Sequence, residues 1–189
     1  LASLDLVEVA QPALRKLRDD TGMSSHLVMR DRREVVYLAR FPAHSALASS
    51  VQVGTRFPVH GTILGRMLIC ELDDMELREL FPEPNLPRFS EQTPKTLPAL
   101  KKLLKEDRDR GYAVSQSFFE RGISAIAAPL RDNNGRIVAA INVTAVDTTV
   151  AAEEMAGRLK DLVLSAARSI SSHISSEQAL ARTLATAGK

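Results

Sequence analysis

The order of elements along this 189-residue chain points to an α+β fold, a mostly antiparallel β-sheet with helices packed on it. Three observations carry that expectation. Apolar residues recur at helical spacing near both ends of the chain. Short β-rich runs come in pairs joined by tight turns. Between them lie short helical stretches broken by a proline-rich loop.

Taken in order, Val7, Ala10, Leu14 and Leu17 form the apolar stripe of a first helix. Thr21-Gly22 stops it, glycine being suited to the left-handed position after a helix end. Ser25 to Met29 and Glu34 to Phe41 flank the charged turn Asp31-Arg32-Arg33 and predict a hairpin. Leu47 to Val53 alternates, with Leu47, Ser49, Val51 and Val53 on one face, and predicts a third strand. Gly54 to Gly61 holds two glycines and a proline and reads as a loop. A short helix is expected from Thr62 to Glu71, with Gly65 inside it. A mid-helix glycine costs roughly 1 kcal/mol relative to alanine; close approach of a ligand or of another backbone offsets that cost.

Asp73 and Glu76 make an Asp-x-x-Glu capping pattern, opening a helix to about Leu80. Phe81 to Pro98 contains five prolines and reads as a surface loop. Thr96 is a candidate N-cap for a helix carrying Leu97, Leu100 and Leu104 to Arg110, which Gly111 ends. Tyr112 to Phe119 alternates. Ile123 to Leu130 and Ile137 to Ala145 flank Asn133-Asn134-Gly135, and Asn-Gly between apolar runs is the strongest short-range hairpin signal. Pro129 cannot donate to a ladder, so its strand is expected to be bulged or at an edge there. Met155, Leu159, Leu162, Ala166, Ile170 and Ile174 mark one face of a long amphipathic final helix.

Composition bounds the function. A chain 44% hydrophobic and 25% charged suits one globular domain, or one domain plus a docking helix. At this size roughly 70% of the unfolded surface can be buried, so the core needs no staples. Cys70 is the only cysteine, which excludes an intrachain disulfide and a cysteine-based zinc cluster. A reducing, cytoplasmic location fits. No apolar run approaches the ~18 residues of a membrane span. Twenty-five basic and 23 acidic residues leave a net charge of +2, and the two signs interleave, as from Lys101 to Arg110. That run reads as a solvated helix face, and the chain as a poor DNA binder. Leu1-Ala2-Ser3-Leu4-Asp5 has neither an initiator methionine nor a basic leader, and is expected to be the interior of a longer chain.

The chemistry expected of an enzyme is missing. None of the histidines, His26, His44, His60 and His173, lies in a serine or cysteine motif or pairs at zinc spacing. No phosphate-cradling glycine motif is present, and no cofactor or metal is expected. His60 has two readings, a ligand contact at a helix start or a loop histidine bonded to backbone, and the second is favoured. Cys70 is expected in the core. Asn142 and Thr144 share a face of one strand with Ala140, while Ile141 and Val143 point the other way. Ser115 and Ser117 likewise share a face. These groups line a polar-ended cavity on an apolar sheet or else face solvent.

Glu34 to Arg40, Gly54 to Leu68, Arg110 to Ala113, Glu120 to Ile123, Ile126 to Pro129 and Ile137 to Thr144 together resemble the IclR family of bacterial transcriptional regulators. Gly54-Thr55-Arg56-Phe57-Pro58-Val59-His60-Gly61-Thr62-Ile63-Leu64-Gly65-Arg66-Met67-Leu68 is similar to the family's loop-and-helix signature. Arg110-Gly111-Tyr112-Ala113, with Glu120-Arg121-Gly122-Ile123 and Ile126-Ala127-Ala128-Pro129, resembles a second block. Ile137 to Thr144 resembles its closing strand and Glu34 to Arg40 its early one. The blocks occur in order across about residues 4 to 175. The resemblance implies a GAF-like effector-binding domain, whose curved antiparallel sheet holds a small organic acid on its concave side. Carried over by position, the effector-lining residues would be Phe57, Ile63, Leu64, Ser115, Ile123, Ala125, Asn142 and Thr144, with Ala46 and Ser49 as weaker candidates. Well-known members carry an acid where this chain has Ser115, and paired serines where it has Asn142 and Thr144. Backbone N–H groups at the Ile63-Leu64 helix start suit a carboxylate. In the family a winged helix-turn-helix precedes this domain, so residues 1–20 would be the end of a linker helix and 21–189 the effector domain. DNA would be contacted only through that missing part. The resemblance implies a homodimer or tetramer, and Val53 to Arg56 with Gly65-Arg66 leans towards regulators of aromatic-acid breakdown.

Two other readings belong to different classes. A free-standing GAF-like enzyme such as a sulfoxide reductase would want more than one thiol. A pure dimerisation module would have its pocket positions filled by side chains, and would show no ligand-induced stabilisation.

Overall fold

The computed structural model describes residues 2–43, 51–116, 123–146 and 154–174. Helix α1 (Ala2–Thr21) ends where Gly22 takes a φ of 69° and its N–H reaches Arg18 O at 2.8 Å. Its buried stripe is Leu6, Ala10, Leu14 and Leu17, with Val7 half-buried beside it. Strands β1 (Ser24–Asp31) and β2 (Glu34–Phe41) form the expected hairpin, closed by Arg32 at a φ of 54°.

The third strand is not where the alternation placed it. Residues 47–50 lie outside the described residues, and Val51–Val53 join no strand. The partner of β2 is instead β3 (Arg56–Pro58), inside the segment expected to be a loop. A turn at Gly54, with a φ of 88°, sends the chain back along β2; Gly54 N–H donates to Tyr37 O and Tyr37 N–H to Thr55 O. A strand only three residues long at the sheet edge tolerates Pro58, because nothing outside it needs the missing N–H. Salt bridges from Arg56 to Asp31 and Glu34 pin it to the hairpin.

A 3₁₀ turn (Val59–Gly61) leads into α2 (Ile63–Ile69), capped by Thr62, whose Oγ1 accepts from Gly65 N–H at 2.9 Å. Helix α3 (Asp74–Leu80) has the full capping box of Asp73 and Glu76. Helix α4 (Leu97–Arg110) starts at Thr96 and stops at a left-handed Gly111. Strands β4 (Ala113–Gln116), β5 (Ile123–Arg131) and β6 (Ile137–Val146) complete one six-stranded sheet. Its order is β3-β2-β1-β6-β5-β4, and each pairing is antiparallel. Pairing with β4 stops at Ala113 opposite Ala127, so β5 has an open side at Pro129, as the missing donor requires.

The final helix is interrupted. A π-helical turn (Met155–Leu159) holds Gly157 at non-helical angles before α5 (Lys160–Ser171) begins. Beyond that break the buried stripe runs on a 4-4-3-4 spacing. Leu159, Val163, Ala167, Ile170 and Ile174 are buried, whereas Leu162 and Ala166, expected at its centre, are half-buried flanks.

Helices cover both faces of the sheet. On one, Leu27, Ile126, Leu130, Ile141 and Val143 pack against α1 and α5. On the other, Val28, Val35, Tyr37, Ala127 and Ala140 pack against α2, with α3 and α4 outside it. Burial on both sides explains why β5 reads as a nearly continuous apolar run instead of an alternating one. Among the described residues no helix is long and apolar enough to cross a membrane.

Candidate functional site

The strand register sorts the side chains of the α2-facing side into rows. Ser115, Ala125, Thr144 and Ser24 make one row, across β4, β5, β6 and β1. Ala113, Ala127, Asn142, His26 and Arg40 make the next, reaching β2. Pro129, Ala140, Val28 and Tyr37 make the third, and Ile123, opposite Val146, stands beyond the first row at the opposite end. Side chains directly opposite on antiparallel strands have Cβ atoms about 4.5–5.5 Å apart. Polar groups therefore gather at one end of a face whose other end is apolar.

Four of the residues expected from the sequence, Ser115, Ala125, Asn142 and Thr144, stand together in the first two rows. Asn142, Ser115 and Ala125 are buried, and Thr144 is half-buried. Ile63 and Leu64 start the helix lying over this face and are buried in its apolar cluster. Phe57 sits on the far edge strand, opposite Val35, and packs edge-on against Tyr37. Ala46 and Ser49 lie outside the described residues.

Sequence reading passed over three members. His26 is buried and its Nδ1–H donates to Asn142 Oδ1 at 2.9 Å. Burial, helped by the charge of Arg40, pulls the imidazole down to about 4, so it is neutral near pH 7 with Nε2 left as an acceptor. Tyr37 packs edge-on against His26 (ring centroids 5.5 Å apart) and against Phe57 (5.8 Å), and burial pushes its phenol up to about 12. Arg40 completes the set. Alternation along β1, which puts Ser24, His26 and Val28 on one face, could have found His26; Tyr37 and Arg40, three residues apart on β2, come onto that face together only through the register shift opposite Leu27 and Val28, which no local pattern announces.

Other candidates prove structural. His60 Nε2–H donates to Pro87 O at 2.9 Å, and the ring packs on Phe81 and Phe89, so it pins the proline-rich loop. Cys70 is buried, its Sγ–H directed at Met67 O, and burial pushes the thiol up to about 12. Gly65 meets another backbone: a Cβ there would stand 2.1 Å from Val59 O. The run from Lys101 to Arg110 is not wholly solvated. Asp107 is fully buried, paired with the buried Arg66 of α2 (Nε–Oδ2 2.7 Å) and with Arg110 (2.6 Å). A cleft of about 370 Å³ between Arg33, Pro58, His60 and Glu83 opens at the other end of the hairpin, and Arg33 and Glu83 there neutralise each other. Among the described residues no group of three histidine, cysteine or acidic side chains is placed to hold a metal.

Residues 1–172 match the family profile described as "Bacterial transcriptional regulator IclR C-terminal". The chain belongs to the IclR family. It is 30% identical to the HTH-type transcriptional regulator XynR of Escherichia coli K12 over 156 residues, 82% of this chain and 62% of XynR. It is 29% identical to the Pca regulon regulatory protein of Pseudomonas putida over 171 residues, 90% of this chain and 59% of that one. The IclR chain thus spans about three-fifths of the length of these relatives, which are named as regulators and not as enzymes. A putative transcriptional regulator from Rhodococcus sp. RHA1 superimposes with a TM-score of 0.84 at 32% identity, over 90% of this chain and 70% of that one. An IclR homologue from Microbacterium hydrocarbonoxydans, complexed with 4-hydroxybenzoate, superimposes with a TM-score of 0.79 at 26% identity, over 90% of this chain and 68% of that one. The GAF-like, curved antiparallel sheet with helices on it is the architecture of such IclR C-terminal domains.

Proposed function

We propose that this chain is the effector-sensing part of an IclR-type regulator, binding a small organic acid that alters operator binding by a longer, homo-oligomeric protein in the cytoplasm. The observation that carries the reading is the polar end of the α2-facing sheet, where Asn142, Thr144, Ser24 and His26 stand on consecutive rows beside apolar Ala125, Ile63 and Leu64. Polar groups converging at the end of an apolar surface are what a small-molecule site needs for orientation and specificity. Phe57, Ser115 and Ile123 extend the proposed lining. The 4-hydroxybenzoate complex of the Microbacterium homologue supports an aromatic acid as ligand. DNA contact belongs to another part of the protein, to which α1 would lead.

Thermal unfolding with a panel of small carboxylates, 4-hydroxybenzoate included, tests this. At ~100 times its Kd a ligand stabilises the folded state by about 2.7 kcal/mol. In a chain of this size that raises Tm by roughly 5–10 °C. Thr144→Val keeps the shape but removes the hydroxyl, so most of the shift should vanish while the unliganded Tm hardly moves. A module that only dimerises would respond to none of the acids.

A further inference from the structure

We infer that Arg40 is the anchor for the acid's carboxylate, with the Asn142 amide as its second contact; this rests on the sensor reading above. Arg40 lies on β2 directly opposite His26, which lies directly opposite Asn142, so the three side chains share one row and one face. Arg40 is half-buried, and its Nε is sealed from solvent without a hydrogen-bond partner. No other buried side-chain nitrogen or oxygen among the described residues is left in that state. Its guanidinium forms no ion pair among the described residues, although Arg33, Arg56, Arg66, Arg110, Arg131 and Arg158 each hold a carboxylate.

A buried, unpaired donor on a charged group is costly, and in a native structure it calls for a partner, a bound anion among them. A guanidinium presents parallel N–H groups in a fixed fork that fits a carboxylate. Its neighbours favour the same ligand. His26 spends its Nδ1–H on Asn142 Oδ1, which turns the Asn142 Nδ2 donors outward from that bond. Because His26 is neutral near pH 7, the row's charge resides on Arg40. The start of α2 is the competing site, but Thr62 already takes its Gly65 N–H. A helix end also offers only about half a charge, against a full one on Arg40.

The experiment compares wild type, Arg40→Met and Arg40→Lys in the 189-residue chain, by thermal unfolding and calorimetry. The probes are 4-hydroxybenzoate, benzoate and pyruvate, with 4-hydroxybenzamide as the uncharged control. The expected result is that the wild type responds to an acid and not to the amide. Arg40→Met should weaken that acid at least tenfold, and Arg40→Lys should fall between. Without ligand, Arg40→Met should melt no lower than wild type, since it loses an unpaired buried donor and no partner. If Arg40→Met binds the acid as tightly as wild type, or melts several degrees lower without ligand, Arg40 is not the anchor. If the wild type itself responds to none of the acids, the sensor reading fails, and the anchor with it.

Discussion

At the scale of single residues, the pair His26–Asn142 is the most informative. The sequence supplied only half of the pair: Asn142 lies in the block that resembles the family's closing strand, whereas His26 lies in the first hairpin, outside every such block. Their bond has a consequence for acid stability. An imidazole held at about 4 when folded, against about 6.5 unfolded, leaves the unfolded state with more bound protons between those values. Stability should therefore be full above pH 6.5, fall as pH drops towards 4, and stop falling on this account below that. The groups facing the ring are Arg40, Tyr37 and Asn142, and none is a carboxylate that would hold the proton. The whole effect is on the order of 3 kcal/mol, because each tenfold loss of proton affinity corresponds to about 1.4 kcal/mol. Urea unfolding of wild type and His26→Gln from about pH 7 to about pH 4 should show a steeper loss in the wild type; parallel curves would mean that His26 is protonated in the fold.

At the scale of elements, caps and turns were legible because their chemistry is local. Asp73 with Glu76, Thr96, Gly22, Gly111 and Asn134-Gly135 each did what its residue type permits. The strand at Arg56–Pro58 was missed because alternation says only that a segment suits a sheet, not which segment finds a free partner edge. The final helix was read with Leu162 and Ala166 on its stripe because apolar residues stand on adjacent positions there, Leu162 beside Val163 and Ala166 beside Ala167, and a period of about 3.6 residues fits either set. Gly65 shows the same limit. A mid-helix glycine signalled a close approach, and only the fold reveals that Val59 is what approaches. Alanine has the better helix propensity by roughly 1 kcal/mol. Gly65→Ala should nonetheless lower stability by about 1–3 kcal/mol, as overpacking does, because the Val59 backbone cannot move without carrying the 3₁₀ turn and β3 with it. A neutral or stabilising result in chemical denaturation would show that this turn is loosely held.

At the scale of the whole molecule, the legible part is the two-sided core and the less legible part is the polar end of one sheet face. Apolar runs report burial directly, whereas the rows of that end are assembled from five strands whose register no local signal fixes. Charge is the other whole-molecule property, and it decides how the chain meets nucleic acid. A specific DNA complex neutralises several phosphates, and its affinity comes largely from cations free to do so. Here 25 basic residues face 23 acidic ones, and many cations are already paired: Lys16 with Asp20, Arg33 with Glu83, Arg56 with Glu34, Lys105 with Asp109 and Arg131 with Glu71. Helix α4, the most charged of the described helices, turns Asp107 inward to hold Arg66 and Arg110, and Lys105 outward against Asp109. A helix so occupied offers no basic stripe to a groove. Fluorescence anisotropy of this chain with duplex DNA at ~150 mM salt should therefore give no more than the weak, sequence-independent binding of about 10⁻⁴–10⁻⁶ M typical of non-specific contacts. Specific regulators bind at roughly 10⁻⁸ M or tighter under such conditions. A complex of that strength, discriminating one duplex from another, would place an operator-reading surface within these 189 residues and overturn the division of labour proposed for the full-length protein.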